Sequence, residues 1–427
     1  MIKKKPKILF ISSANPLIGP ARLALDYTKA MKEYGLEVDL LTLNPVESHP
    51  DILYVQDSIN SIIKRKYVGL KDRILKRYPR EGYYFFYRKE NFPPVASSAV
   101  LKKITKQYDI VYILFWQGML SFETVEKIYD KLHCQIHFRC VDYSPMSGGC
   151  HFTCNCERYK IGCGKCPAFN SNDENDFTRW NVKYRQRVYD KVNPIVYGNT
   201  YMQQFYNESF LLKSVRKVKC LPLIDETIYY PHDKIKLRTK YNIPSEVNFI
   251  IFFGCQSLDD PRKGMNLLLK SLRLFYEKVK ENSKEILLLI AGRNYNLISD
   301  KLNFKSVNLG FLPYDTLPEM YSLADVYLSP SIHDAGPSMV NQSISCGTPV
   351  VSFEMGTALD VIKGQGTGYC AKLGDAEDFA NGIYQIFKED KLKSQEIKNN
   401  CLEFANKHTS KAAFVQQMLN VYSKYGS

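Results

Sequence analysis

Asp334, Gly336, Pro337 and Ser338 open a run that closes on Gly347, Thr348 and Pro349 and leads straight into Val350 and Val351. That order reads as a phosphate-facing loop, a short helix and a buried parallel strand. Gly336 lets the chain turn back sharply, Pro337 suits a first helical position because its missing N–H would be unpaired there, and Ser338 brings a hydroxyl to the first turn. The N–H groups at the start of this helix, around Ser338, Met339 and Val340, have no partner within it and point at an anion. Gly347 and Pro349 then stop the helix. Earlier in the chain, Gly254 ends an apolar run, and Arg262, Lys263 and Gly264 precede a helical pattern. Two cations at a strand-to-helix turn can neutralise a leaving diphosphate. A third cluster holds five of the twelve cysteines within seventeen residues: Cys150, Cys154, Cys156, Cys163 and Cys166, with His151 among them. The two-residue gap between Cys163 and Cys166 is a zinc-knuckle spacing. Cys150 and Cys156 complete a tetrahedral thiolate set for a structural zinc, with Cys154 and His151 in reserve. An iron–sulfur cluster and unligated thiols are the competing readings, and a reducing cytosol disfavours disulfides.

These residues need a scaffold that brings loops together, and the hydrophobic pattern supplies one. Apolar runs at Lys7–Ser12, Val38–Thr42, Ile110–Phe115, Cys134–Phe138 and Ile195–Tyr197 read as strands, with helical patterns at Ala21–Tyr34 and Phe122–Leu132. The alternation resumes at Phe249–Phe253, followed by a helix over Asn266–Lys278 and strands at Ile286–Gly292, Val307–Leu309 and Val326–Leu328, with a helix at Leu317–Ala324 between the last two. Strands alternating with helices imply parallel, doubly wound α/β sheets, here in two domains. The expected division is 1–224, with the Cys-rich insert 148–167, then 225–407, then a C-terminal helix within 408–427 that packs back on the first domain. Ligands of such sheets sit outside the C-terminal ends of the strands, so the expected site is a cleft between two facing domains.

The chain has 427 residues, 45% of them hydrophobic, enough for two well-buried cores. Its longest apolar runs fall far below the roughly 18 residues of a membrane span. The basic start before Ile8 carries only a four-residue apolar run and reads as a first strand rather than a signal, which places the protein in the cytoplasm. The net charge of +14 is uneven. Residues 1–224 hold 35 Lys and Arg against 21 Asp and Glu, and residues 225–427 hold 23 of each. The densest stretch runs from Lys64 to Lys89, where ten basic residues alternate with Tyr67, Tyr78, Tyr83, Tyr84, Phe85, Phe86 and Tyr87. Basic residues interleaved with rings suit an anionic membrane surface, as a peripheral contact on the inner face of the plasma membrane. A solvated charged helix is the plainer reading of the same residues. No nucleic-acid module accompanies the charge, so nucleic acid is not an expected partner.

The Asp334 motif resembles the donor-binding motif of glycosyltransferase family 4, in which two acidic residues separated by seven others precede a Gly-Thr-Pro-Val-Val run. Asp334 and Gln342 occupy the two acidic positions. The resemblance implies that the first touches the transferred sugar and the second the ribose, where Gln342 brings an amide and no charge. Gly254 with Lys263 and Gly264 resembles the second signature of the family, and Lys263 then contacts the diphosphate. The Arg that many members carry directly after the strand Gly is replaced here by Cys255 or Gln256, with Arg262 as substitute. Gly19 lies where the family has a Gly-rich loop near the donor phosphates. Asp142, Gly148, Gly149, Cys150 and His151 are similar to a block in a bacterial polysaccharide branch of the family that begins His-Asp. Val141 stands in place of that His, and the donor-facing role passes to Asp142.

What the resemblance implies is a GT-B fold, two Rossmann-like domains facing a cleft. The activity it implies is a retaining hexosyl transfer from a UDP- or GDP-linked donor to a lipid-linked or polysaccharide acceptor, in capsule, lipopolysaccharide or exopolysaccharide synthesis. Stabilisation of the diphosphate by Lys263, Arg262 and the helix start requires no catalytic metal or other cofactor. Two other readings compete: a binding or scaffold protein that keeps the fold, motivated by Gln342, Val141 and Cys255, and a GT-B enzyme acting on soluble sugars.

Overall fold

The computed structural model describes residues 5–17, 21–46, 49–56, 59, 62–63, 66–67, 70 and 89–425. Gly19 and most of the basic aromatic stretch lie outside the described residues. Contacts divide the chain into two compact units. The first is Met1–Gly198, Met202–Cys220 and Val415–Ser427, and the second is Asn199–Tyr201 and Leu221–Phe414.

In the first unit, strands β1 (Ile8–Ser12), β2 (Val38–Leu43), β3 (Leu53–Val55), β4 (Ile110–Ile113), β5 (Gln135–Arg139), β6 (Ile195–Gly198) and β7 (Arg216–Lys219) form one parallel sheet in the order β3-β2-β1-β4-β5-β6-β7. Ile8 pairs with Val38 on one side and Ile110 on the other. Strands flanked on both faces by helices read as unbroken apolar runs, and Ile8, Leu9, Phe10 and Ile11 are fully buried. The rings of Phe10, Tyr27, Tyr112, His137 and Tyr197 pack against one another, tilted or edge-on, with centroids between 5.2 and 6.1 Å apart. Burial pushes the His137 imidazole down to about 3. It stays neutral and serves the core, bonding Tyr197 Oη and Gln135 Oε1 at 2.9 Å each. The C-terminal helix Lys411–Tyr425 returns to this sheet through its later residues. Gln135 Nε2 donates to Tyr425 O at 2.5 Å, and Gln417 Nε2 donates to Lys219 O at 2.6 Å.

The second unit carries β8 (Phe249–Ser257), β9 (Ile286–Arg293), β10 (Lys305–Gly310), β11 (Val326–Ser329), β12 (Val350–Phe353) and β13 (Gly368–Ala371), again parallel, in the order β10-β9-β8-β11-β12-β13. From β8 the chain winds one way to β9 and β10, and β11 to β13 wind the other way. The switch point therefore lies between β8 and β11, where an open α/β sheet presents its ligand crevice. Helix Met265–Lys278 packs Leu268, Leu272 and Phe275 into the core beside it.

Candidate active site

Two loops meet at the switch point of the second unit. After β8, Asp260 accepts the Arg262 N–H at 3.0 Å and caps the short turn Pro261–Lys263. Gly264 then starts the next helix with φ +68, and a Cβ there would stand 1.9 Å from the carbonyl oxygen of Pro330. Only glycine allows the loop after β11 to come so close. Ile332 N donates to Arg262 O at 2.9 Å and ties the two loops together. The result joins residues 71 positions apart: Lys263 Nζ lies 2.5 Å from Asp334 Oδ2. Burial pushes the Lys263 ammonium down, but the Asp334 carboxylate beside it more than offsets this and its pKa is raised. Burial likewise pushes Asp334 up, yet the Lys263 ammonium, its hydrogen bond and the Gly336 N–H hold the carboxyl below its usual range. An ammonium has three N–H donors, so the one spent on Asp334 leaves two for an anion.

Asp334 Oδ1 also accepts the Gly336 N–H at 3.1 Å, which fixes the chain just before the helix Ser338–Ser345. Pro337 is the residue before the helix rather than its first member, with ψ at 112, and no side chain caps the first turn. Val340 N donates to Pro337 O at 3.1 Å, contrary to the expectation for it, so the N–H groups left for a ligand at this helix start are those of Ser338 and Met339. Gly336 allows a close approach, since a Cβ would lie 2.7 Å from Asn199 Nδ2, which donates to Ala335 O at 2.7 Å, and would displace that side chain. Gly254 packs under the same helix, where a Cβ would meet Met339 Cε at 3.0 Å.

Lys263, Asp334, Gly254, Gly336, Pro337, Ser338 and Met339 thus converge. Others expected beside them do not. Arg262 forks onto Asp260, with Nη2 2.6 Å from Oδ2 and Nε 3.1 Å from Oδ1, so its guanidinium is held by its own turn. Val340 is fully buried and belongs to the core. Gln342 is 5% exposed, and its Oε1 accepts the hydroxyl of the buried Tyr321 at 3.1 Å. A carboxylate there would be less well matched to the packed, uncharged ring cluster of Tyr321, Phe252 and Tyr327. Sequence reasoning passed over His333, which directly precedes Asp334 and is held neutral, its pKa pushed down to about 4 chiefly by burial. It also passed over Tyr327, whose hydroxyl donates to Gly254 O at 3.3 Å. A His beside the motif acid was a legible signal, whereas the Tyr327 contact exists only in space.

Asp142 belongs to the first unit and is 1% exposed. Its carboxylate accepts Ser144 N at 2.7 Å, Ser144 Oγ, Gln117 Nε2 at 3.1 Å and His151 Nδ1 at 2.9 Å. These donors hold the Asp142 carboxylate in place. Nearby, the thiol of Cys150 lies within electrostatic reach of Cys154, Cys156, Cys163 and Cys166, and Gly148 N donates to Cys163 Sγ at 3.3 Å. Among the described residues, however, no three His, Cys, Asp or Glu side chains group as a metal site. Cys150, Cys156, Cys163 and Cys166, the set expected to hold a structural zinc, all lie in this insert, and polar contacts help to hold it: Asp176 accepts Cys166 N at 2.9 Å, and Asn181 Nδ2 donates to Gly148 O at 2.9 Å.

Comparison with known proteins agrees with this geometry. Sucrose-phosphate synthase from Thermosynechococcus elongatus is similar with a TM-score of 0.68 at 17% identity, over 98% of this chain and 99% of its own. The Anabaena protein HepE, solved with UDP and glucose, gives 0.63 at 16% identity, over 98% and 100%. At such identities the likeness is one of fold, and the fold is α/β of GT-B type with two Rossmann-like halves. In sequence, an uncharacterized glycosyltransferase of Methanocaldococcus jannaschii is 26% identical over 199 residues, 44% of this chain and 48% of that protein. The chain spans about half the length of the curated relatives it matches. Lys263, Asp334 and the helix begun at Ser338 all lie within residues 233–402, the stretch that matches the family described as Glycosyl transferases group 1.

Proposed function

We propose that this chain is a retaining glycosyltransferase that moves a sugar from a UDP- or GDP-linked donor to a lipid-linked or polysaccharide acceptor in cell-surface polysaccharide synthesis. The observation that carries the reading is the Lys263–Asp334 contact of 2.5 Å beside the uncapped start of helix Ser338–Ser345. It places a cation, a carboxylate and free backbone N–H groups at one switch point, inside the stretch that matches a glycosyl transferase family. Lys263 and the helix start stabilise the diphosphate as its charge develops, and Asp334 positions the sugar. As the bond from the anomeric carbon to the phosphate oxygen breaks and that from the acceptor oxygen forms on the same face, the hydroxyl proton passes to the departing phosphate oxygen. A screen of UDP- and GDP-sugars with lipid-linked acceptors, read by mass analysis of the product, tests this. Binding of no nucleotide-sugar at all would leave the scaffold reading standing.

Likeness in fold to a sucrose-phosphate synthase favours, as a second reading, an acceptor that is a soluble sugar. Attachment to anionic liposomes separates the two. Ile59, Ile63, Tyr67 and Leu70 are 75, 59, 66 and 57% exposed, and all four are helical. They recur at a spacing of three or four residues, next to Lys64, Arg65 and Lys66 in sequence, a composition that suits an anionic lipid surface. No helix among the described residues is long and apolar enough to cross a membrane, so the association proposed is peripheral.

A further inference from the structure

Arg139, Arg185 and Lys411 are the buried cations among the described residues. Burying a charge without a counter-charge is costly. Two of the three meet a carboxylate: Arg185 pairs with Glu90 at 2.5 Å and Lys411 with Asp225 at 3.1 Å. Arg139 does not. It ends β5, is 6% exposed, and keeps its charge there because a guanidinium does not deprotonate in proteins. Among the described residues its side chain makes one hydrogen bond, from Nη1 to Cys220 O at 2.9 Å, and pairs with no carboxylate. The groups within its electrostatic reach are Tyr27, Cys220, Tyr112 and Tyr206, none of them an acid that would balance it at neutral pH.

Arg139 stands opposite Tyr197 in the β5–β6 pairing, so both side chains leave the same face of the sheet. On that face the Tyr197 ring lies 5.2 Å from the ring of Tyr112, whose hydroxyl is fully buried and has no hydrogen-bond partner. Such a hydroxyl in a folded core marks a place for a group that completes it. Cys220 directly follows β7, and its N–H donates to Gly198 O at the end of β6, at 2.9 Å. The bond to Cys220 O therefore draws the guanidinium to the C-terminal edge of the first sheet, the edge at which open α/β sheets bind ligands. With Nη1 spent on that carbonyl, the side carrying Nε and Nη2 keeps its two parallel N–H groups. Two oxygens of a phosphate match that fork. The Tyr112 hydroxyl, which the guanidinium reaches electrostatically, is a further donor.

We propose that Arg139 is an anion site of the first unit, taking a phosphate group on its Nε–Nη2 side with the Tyr112 hydroxyl as a further donor. The bound group supplies the negative charge that no side chain brings to Arg139. Inorganic phosphate and the diphosphate of a lipid-linked acceptor both present this chemistry. The second source rests on the glycosyltransferase reading above; the site itself does not.

The test uses the full chain carrying Lys263→Ala, so that phosphate drawn to Lys263 does not contribute, in gluconate buffer at constant ionic strength. Inorganic phosphate should raise the melting midpoint saturably, by about 5 °C or more at 100 times its Kd. Chloride, which has no second atom to span the fork, should need at least tenfold higher concentration. Adding Arg139→Met keeps the bulk and removes the charge, so this variant should melt no lower than its background in gluconate and should lose the response. If it does not fold, Tyr112→Phe decides, and must need several-fold more phosphate for half the rise. Geranyl diphosphate, a soluble short-chain lipid diphosphate, separates the sources: a half-rise at tenfold lower concentration than inorganic phosphate assigns the acceptor, and the reverse assigns the free ion. A midpoint that neither phosphate moves overturns the proposal, as does an undiminished response in Arg139→Met, or in Tyr112→Phe where that variant decides, or an equal response to chloride. Absence of glycosyl transfer with every donor and acceptor bears on the earlier reading alone, because the melting shift does not depend on turnover.

Discussion

Replacing Lys263 by alanine removes the cation that is hydrogen-bonded to Asp334, and the size of the effect follows from where it sits. An ammonium about 4 Å from a phosphate charge, at an effective dielectric of about 20, is worth about 4 kcal/mol. Removing a single preorganised charge-stabilising donor elsewhere costs ~100- to 1,000-fold in kcat. The two figures agree on a loss of about 3 to 4 kcal/mol in transition-state stabilisation. The structure adds a second consequence. With Nζ gone from its position 2.5 Å from Oδ2, the Asp334 carboxylate faces the incoming diphosphate unpaired. Lys263→Ala with Asp334→Asn should therefore bind the donor's nucleoside diphosphate several-fold more tightly than Lys263→Ala alone, although turnover stays low because Asp334 also positions the sugar. Calorimetry with UDP and GDP at two salt concentrations reads the binding terms, and transfer kinetics read kcat. The pair is part-exposed, with side chains 23% and 15% accessible, so stability should fall by only about 1 kcal/mol. Turnover by a folded Lys263→Ala within threefold of the parent refutes the reasoning. So does a double variant that binds the diphosphate more weakly than the single one, since Asp334 would then not oppose the anion.

Other perturbations report on the supports of the two sites. Glu90→Ala strands the buried Arg185, whose side chain is 4% exposed, and should destabilise the chain by about 3–5 kcal/mol in urea unfolding. Gly264→Ala places a Cβ 1.9 Å from Pro330 O at a φ of +68. It should cost about 1–2 kcal/mol from the backbone alone, and activity should fall further than the unfolding midpoint suggests because the loops carrying Lys263 and Asp334 are pushed apart. Elemental analysis of the purified chain tests whether Cys150, Cys156, Cys163 and Cys166 hold a structural zinc: one zinc per chain, with a melting midpoint that a chelator lowers, is the outcome expected of that set, and no stoichiometric zinc after gentle purification rejects it.

Much of the fold was legible because both sheets are parallel and covered on both faces, so their central strands are continuous apolar runs. Phe122–Leu132 has its expected bounds, the C-terminal helix Lys411–Tyr425 falls within the expected 408–427, and β8 begins where its run of Phe and Ile begins. Elements missed lack that signal. Strand β7 is Arg216, Lys217, Val218 and Lys219, an edge strand whose long side chains lie in solvent or along the C-terminal helix. Arg216 reaches the Tyr425 ring at 5.1 Å, a contact no local pattern encodes. Helix Phe177–Val192 went unread because charged residues interrupt its apolar face. Its start at Asp176, which accepts from Thr178 and Arg179, is a capping signal that was available.

The candidate sites divide along the same physical line. Residues whose role depends on chain direction were readable: Gly264 at a left-handed turn, Ser338 at a helix start, Lys263 at a loop end. Those whose role depends on a partner far away in sequence were not. Arg262 and Lys263 are adjacent cations, and nothing in their types says that Asp260 holds the first while Asp334, 71 positions on from Lys263, holds the second. Asp142 and His151 show the converse. A site scored by its linear pattern loses its histidine at Val141, but the carboxylate at 142 has four hydrogen-bonding oxygen lone-pair positions to fill in a buried place, and burial makes an unfilled one costly. Some donor had to come to it, and the turn at Gly148 and Gly149 brings His151. The partners of a buried carboxylate are therefore set by the fold, and the neighbouring sequence does not name them.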